Sequence, residues 1–434
     1  MEKLLIRGGR LADVVERRLV EADVLVGGGR VLAIGRQLAA PDARVIDATG
    51  LIVSPGFVDL HVHLREPGFE HKETIETGTR AAAAGGFTTV ACMPNTQPVL
   101  DSVPQLADLQ QRIDANACVN VLPIAAITSS SQGVEPVDYR ALKAAGAVAF
   151  SDDGRGVMNS RLMLHALQAA ADLGVPIIAH EEDHDLAAGG SINAGPVSAR
   201  LGDPGIPGVA EYAPLARDIY LSRLAGGHLH VAHVSCAESV ELIRRAKARG
   251  VPVTAEVTPQ HLILTEEIVP QLLGQAKVNP PLRSETDRQA LLAGLLDGTI
   301  DAIATDHAPH ARSEKELPLS QAAFGLSGLD VAFAALNHYL VETGIIPLVE
   351  LLASLTCRPA AVLGLDAGRL QVGAAADLAV LDPGQAWQVS EENLYSKGKN
   401  TPFLGQRLTG RVLLTLVGGR VVHDQMSHRQ EVGS

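Results

Sequence analysis

The chain has 434 residues, 46% of them hydrophobic and 20% charged, with a net charge of −13. That length exceeds one simple core and points to a large domain with a smaller one. The acidic balance argues against nucleic acid or an anionic membrane as partner, while leaving room for a local basic pocket.

The N-terminal stretch MEKLLIRGGRLADV lacks a long apolar core and a small-residue cleavage site. No signal peptide is expected, and no run of eighteen apolar residues predicts a membrane span. The first fifty residues read as short strands broken by glycine turns, KLLIRGGRLAD and then ADVLVGGGRVLAIG. The pattern returns near the C-terminus in RVLLTLVGGRVVHD, and DLAVLDP (377–383) adds another strand. Apolar runs interrupted by Gly-Gly are hairpin signals. Residues 1–53 and 369–434 are therefore expected to assemble one composite β-sandwich domain.

Between them the rhythm changes. Helical stretches end in glycine and an apolar strand follows at once, as in AAAAGGFTTVACM, ALKAAGAVAFSD, AADLGVPIIAH and RAKARGVPVTAEV. Strands are predicted near 52–62, 87–93, 119–127, 147–151, 175–180, 228–235, 251–257 and 300–306. Eight strands alternating with helices predict an α/β fold, a (β/α)8 TIM-like barrel over 54–368. The competing topology is a doubly wound open sheet, which would gather its ligands at one switch point.

Six metal-ligand candidates fall at the ends of these strands, the face where such barrels carry their active sites. His61 and His63 close LIVSPGFVDLHVH, Asp153 follows AVAFSD, and His180 closes VPIIAH. His233 sits in HLHVAHVS, and Asp306 closes IDAIATD. Strand alternation points His61 and His63 the same way. Imidazole and carboxylate donors suit zinc. Four histidines and two aspartates exceed one tetrahedral ion and suit two ions sharing a bridging carboxylate. An isolated HxH in a chain with 15 histidines would be weak evidence; the weight lies in the cluster. Alternation does not choose among His228, His230 and His233, and His233 lies nearest the strand's C-terminal end. Arg65 lies two residues beyond His63, where a guanidinium can clamp a carboxylate bidentately. Asn95, Asn279 and His310 also follow strand ends. The polar segment 310–325 reads equally as a lid over the barrel mouth or as an ordinary surface loop.

HVHLREPG (61–68), MPNTQP (93–98), FSDDG (150–154) and ATDHAPH (304–310) together resemble the motifs of class I dihydroorotases of the amidohydrolase superfamily. The resemblance covers nearly the whole chain. It implies that His61 and His63 bind a first zinc, that Asp153 bridges two ions, and that His180 and His233 bind the second. Asp306 would contact the first zinc and act as catalytic acid–base. Other branches bridge their metals with a carboxylated lysine, but AVAFSDD offers none and Lys143 lies upstream in a helix. Arg65, Asn95, Asn279 and His310 would hold the substrate, with backbone contacts from Phe324 and Gly325. His261 and His307 are expected to be structural or packing residues.

The chemistry that follows is hydrolysis of a cyclic amide. Two ions acidify water and polarise an amide carbonyl, and a neighbouring carboxylate moves the proton. The resemblance implies interconversion of dihydroorotate and N-carbamoyl-L-aspartate in pyrimidine synthesis. It also implies a homodimer, alone or with aspartate transcarbamoylase. The alternatives are a hydantoinase or allantoinase, whose neutral ring would give Arg65 no anion, and a non-catalytic transcarbamoylase scaffold, which would be expected to lose ligands. The four cysteines (Cys92, Cys118, Cys236, Cys357) form no CxxC pair. They fit reduced thiols in a cytoplasmic protein.

Overall fold

The run LIVSPGFVDLHVH breaks at Gly56 into two strands that serve different sheets. Ile52–Pro55 joins a six-stranded sheet and Phe57–Val62 opens an eight-stranded one. A Cβ on Gly56 would lie 2.1 Å from Thr88 Oγ1, so only glycine lets the chain pass the second barrel strand at this crossover. The structure is a computed structural model describing residues 2–426.

The eight-stranded sheet runs Phe57–Val62, Phe87–Cys92, Asn120–Ala125, Ala149–Phe150, Ile177–Ala179, Leu229–Val231, Val253–Val257 and Ala302–Ile303, all neighbours parallel. It closes on itself through a parallel bridge between Val62 and His307, where His63 N donates to His307 O at 2.8 Å. Asp59 adds a buried side-chain staple across the seam. Its Oδ2 accepts from Thr305 Oγ1 at 2.6 Å. The expected (β/α)8 barrel is therefore present, and each of the eight predicted strands occurs, shorter than its apolar run.

The helices between strands end as the glycines predict. Ser160–Leu173 is capped by Asn159, whose side chain accepts from Arg161 N and Leu162 N. It stops at Gly174, held at φ +63°, a left-handed conformation that costs glycine little. The barrel centre is filled by small and branched side chains, among them Ala91, Ile124, Ala149 and Ile178. This is how a chain with 3% aromatics builds a dense interior.

Both termini contribute to the six-stranded sheet. Its order is Arg420–Asp424, Arg407–Val417, Leu378–Gln388, Ile52–Pro55, Arg10–Asp13 and Arg18–Glu21. A four-stranded sheet (Arg30–Gly35, Asp23–Gly27, Lys3–Arg7, Ala43–Asp47) lies beside it. Leu4, Val24 and Val26 of the smaller sheet share one apolar cluster with Val53, Leu378 and Leu414 of the larger. Among the described residues no helix is long and apolar enough to cross a membrane.

Candidate active site

At the C-terminal end of the barrel the chain leaves regular strand geometry, and three site residues sit at positive φ: Arg65 (+60°), His233 (+34°) and Asp306 (+48°). Such backbone costs of the order of 1–3 kcal/mol per residue and persists where surrounding contacts hold it. It also resolves the ambiguity in HLHVAHVS. The strand ends at Val231, and the bend at His233 turns that side chain inward. His228 and His230 instead bond Thr254 Oγ1, at 2.7 and 2.8 Å.

The six expected ligands converge. Asp153 Oδ1 lies 3.3, 3.7 and 3.8 Å from His61 Nε2, His180 Nδ1 and His233 Nε2, and its Oδ2 lies 3.5 Å from His63 Nε2. Asp306 Oδ1 lies 3.2 Å from His63 Nε2 and 3.5 Å from His61 Nε2. Two overlapping triads, His61–Asp153–His233 and His61–His63–Asp306, each bring their ligand atoms within 4.8 Å of one another, and all are buried. His180 stands just outside the triads, its Nδ1 3.0 Å from His233 Nε2.

This donor set fits a cation. His61 Nε2 is buried with no hydrogen-bond partner among the described residues. Burial works to lower the His61 pKa, but the carboxylates of Asp153 and Asp306 raise it well above 6.5, so the geometry favours positive charge at this point. Burial works to raise Asp153 and Asp306, yet His61 and its neighbours hold both below 3.8 and keep them ionised.

The sequence points to only some of the residues behind the ligands. Glu256 lies in VPVTAEV, outside every motif of the sequence analysis. Its Oε1 is 2.9 Å from His61 Nδ1 and its Oε2 is 3.1 Å from His230 Nε2. The only signal in the sequence is an acid near the end of an otherwise apolar strand. Asn95, expected to reach a substrate, uses its Oδ1 on His63 Nδ1 (2.9 Å) and donates from Nδ2 to Asp153 Oδ2 (3.0 Å). His261 bonds Thr258 Oγ1 and Pro280 O, and His307 bonds Glu73, as packing roles require.

Arg65 is half-buried, and its bonds go to uncharged groups, Pro309 O at 3.2 Å and His310 Nε2 at 3.2 Å. Burial pushes the His310 pKa down to about 3, with the Arg65, Lys72 and Lys315 charges adding to it, so the ring is neutral. Its Nε2 lies 2.7 Å from Phe324 O. Asn279 Nδ2 donates to Glu182 Oε2 at 2.7 Å, while its Oδ1 is buried without a partner among the described residues. Gly325 sits at φ +134°, and its N–H donates to Lys277 O at 3.0 Å. A Cβ there would meet Ala308 at 2.7 Å.

Comparison with known proteins gives the family. A family model described as dihydro-orotase-like matches residues 50–239, and one for the amidohydrolase family matches 211–423. A dihydroorotase from Citrifermentans bemidjiense is 49% identical over 421 residues, covering 97% of this chain and 99% of the relative. One from Bacillus cytotoxicus is 49% identical over 423 residues, covering 98% and 99%. Among solved structures, an L-hydantoinase from Arthrobacter aurescens superposes with a TM-score of 0.89 at 29% identity, covering 98% and 97% of the two chains. A dihydropyrimidinase from Brevibacillus agri gives 0.86 at 26% identity, covering 98% and 95%. With close to half its residues identical over nearly the full length of both partners, this chain belongs to the dihydroorotase family of the amidohydrolase superfamily.

Proposed function

We infer that the chain is a dihydroorotase of the class I type, a metal-dependent cyclic amide hydrolase that interconverts N-carbamoyl-L-aspartate and L-dihydroorotate in de novo pyrimidine synthesis. The observation that carries the substrate is Arg65. A half-buried guanidinium beside two metal-binding triads, bonded only to neutral groups, is suited to an incoming carboxylate. Dihydroorotate supplies one. The solved neighbours at 26–29% identity are titled hydantoinase and dihydropyrimidinase, which makes a neutral cyclic amide the second reading.

In this reading His61, His63, Asp153, His180 and His233 would hold the zinc, the Asp153 carboxylate lying among the four imidazoles. Zinc bound there would supply Lewis acidity to the scissile carbonyl and lower the pKa of water. Asp306, ionised and within 3.5 Å of both His61 and His63, accepts the proton of the attacking water and returns it to the leaving ring nitrogen. Ring closure runs the same transfers backwards. Arg65 and His310 fix the carboxylate, and the free Oδ1 of Asn279 and the Phe324–Gly325 peptide line the ring. Asn95 orients His63 and Asp153 from behind.

The barrel assigned to 54–368 carries this chemistry, and the composite β unit assigned to 1–53 with 369–434 is supported by its own apolar cluster, although its strand Ile52–Pro55 runs past the boundary and residues 1 and 427–434 lie outside the described residues. The four cysteines are free, which supports a reducing, cytoplasmic setting. Homodimer formation, alone or with aspartate transcarbamoylase, belongs to the same reading and rests on the family resemblance alone. The test of the function is a substrate panel. Dihydroorotate should be turned over faster than hydantoin or allantoin by on the order of 10²-fold or more, the factor a lost charge pair implies. Equal or faster turnover of hydantoin overturns the reading.

A further inference from the structure

Two buried lysines in and behind the 310–325 segment are held by backbone carbonyls. Lys315, at the end of the short helix Arg312–Lys315, is 1% exposed. Its Nζ donates to Lys277 O at 3.1 Å, Ala323 O at 2.8 Å and Gly325 O at 2.8 Å. An ammonium has three N–H donors, and all three are used. Lys277 is also buried, and its Nζ donates to Leu319 O (2.7 Å) and Ser320 O (3.3 Å). The same Nζ lies 4.3 Å from the Phe324 ring centroid. Taking an ammonium out of water is costly unless every donor finds an acceptor. A segment fastened this way resists opening, because opening gives up these hydrogen bonds together.

The carbonyls that Lys315 holds flank Phe324, whose own carbonyl meets His310 Nε2, and His310 in turn touches Arg65. Asn400 closes the arrangement from the other side, donating to Gly325 O at 3.1 Å and accepting from His310 N at 3.0 Å. Nothing else in the reaction scheme uses Lys315. We propose that Lys315 is a positioning residue that pins 323–325 as a fixed wall of the site and thereby sets His310 and Arg65 for the substrate's carboxylate. The segment is then a rigid wall and not a lid. This rests on the reading of Arg65 and His310 as the carboxylate clamp.

Lys315→Met keeps the apolar stem and removes the three donors. The variant should carry wild-type metal. It should show faster backbone hydrogen exchange confined to 310–325, and raise KM for dihydroorotate by about tenfold or more, with kcat changed by less than about threefold. Lys315→Gln, which keeps two N–H donors, should fall between, and it serves the same comparison should the Met variant fail to fold. Wild-type KM and wild-type exchange in either folded variant overturn the proposal. So does metal loss accompanying the KM change, which would mean a general structural role. If the functional reading itself is wrong, the wild-type protein does not turn over dihydroorotate, an outcome distinct from these.

Discussion

Glu256 Oε1 lies 2.9 Å from His61 Nδ1, which turns His61 Nε2 toward Asp153 and Asp306. Burial raises the Glu256 pKa, but the hydrogen bonds and charges of His230 and His61 bring it far below 4.5, so it accepts from both rings. A carboxylate behind a ligating imidazole fixes its tautomer and raises its basicity. Glu256→Gln should therefore weaken zinc binding or activity by about 10–100-fold without unfolding the barrel. Competition with a chromophoric chelator measures the affinity; an unchanged value would deny Glu256 this role.

Asp153 is the point on which four imidazoles converge, at 3.3–3.8 Å. Asp153→Ala should lose bound metal as well as turnover, because the remaining histidines would hold two cations with less compensating charge. Elemental analysis reads the stoichiometry. Two zinc ions per chain together with wild-type turnover would remove the bridging assignment.

Asp306→Asn separates ligation from proton transfer. The amide keeps the shape and loses the basic oxygen. kcat should fall on the order of 10²–10⁴-fold while most of the metal stays bound. Near-normal kcat would show that another group moves the proton.

Arg65→Met removes the guanidinium fork and leaves the metal ligands untouched. kcat/KM for dihydroorotate should drop by about 2–5 kcal/mol, and much of that loss should be absent for dihydrouracil, the ring without the carboxylate. Steady-state kinetics on both substrates gives the comparison. Equal losses on the two rings would mean that Arg65 does not recognise the anion.

The parts of this site that could be read from the sequence are those fixed by local pattern. His61 and His63 announce themselves because strand period sends both the same way, and Gly174 marks a helix end because it can take φ +63°. The apolar runs place the eight strands but overstate their lengths. The strands end at Ile303 and Val231, before their apolar runs are exhausted, and the chain then bends to positive φ at Asp306 and His233. Glu256 was not legible, because a single acid in VPVTAEV gains meaning only from His61, 195 residues away. Asn95 was visible as a site residue, but its choice of Asp153 over a substrate depends on how two strand ends sit side by side. Lys315 reads in sequence as a solvated charge in ARSEKELP. Its burial follows from carbonyls of Lys277, Ala323 and Gly325 that only the fold brings together.

In the proposed reaction a metal held by His61, His63, Asp153, His180, His233 and Asp306 drives hydrolysis of dihydroorotate. This is tested most directly by assaying purified protein on dihydroorotate after metal removal and again after zinc is restored. The stripped protein should keep its fold by circular dichroism and lose nearly all turnover, and zinc should bring the activity back as about two equivalents bind per chain. Full activity in protein verified to be metal-free would contradict metal-driven hydrolysis.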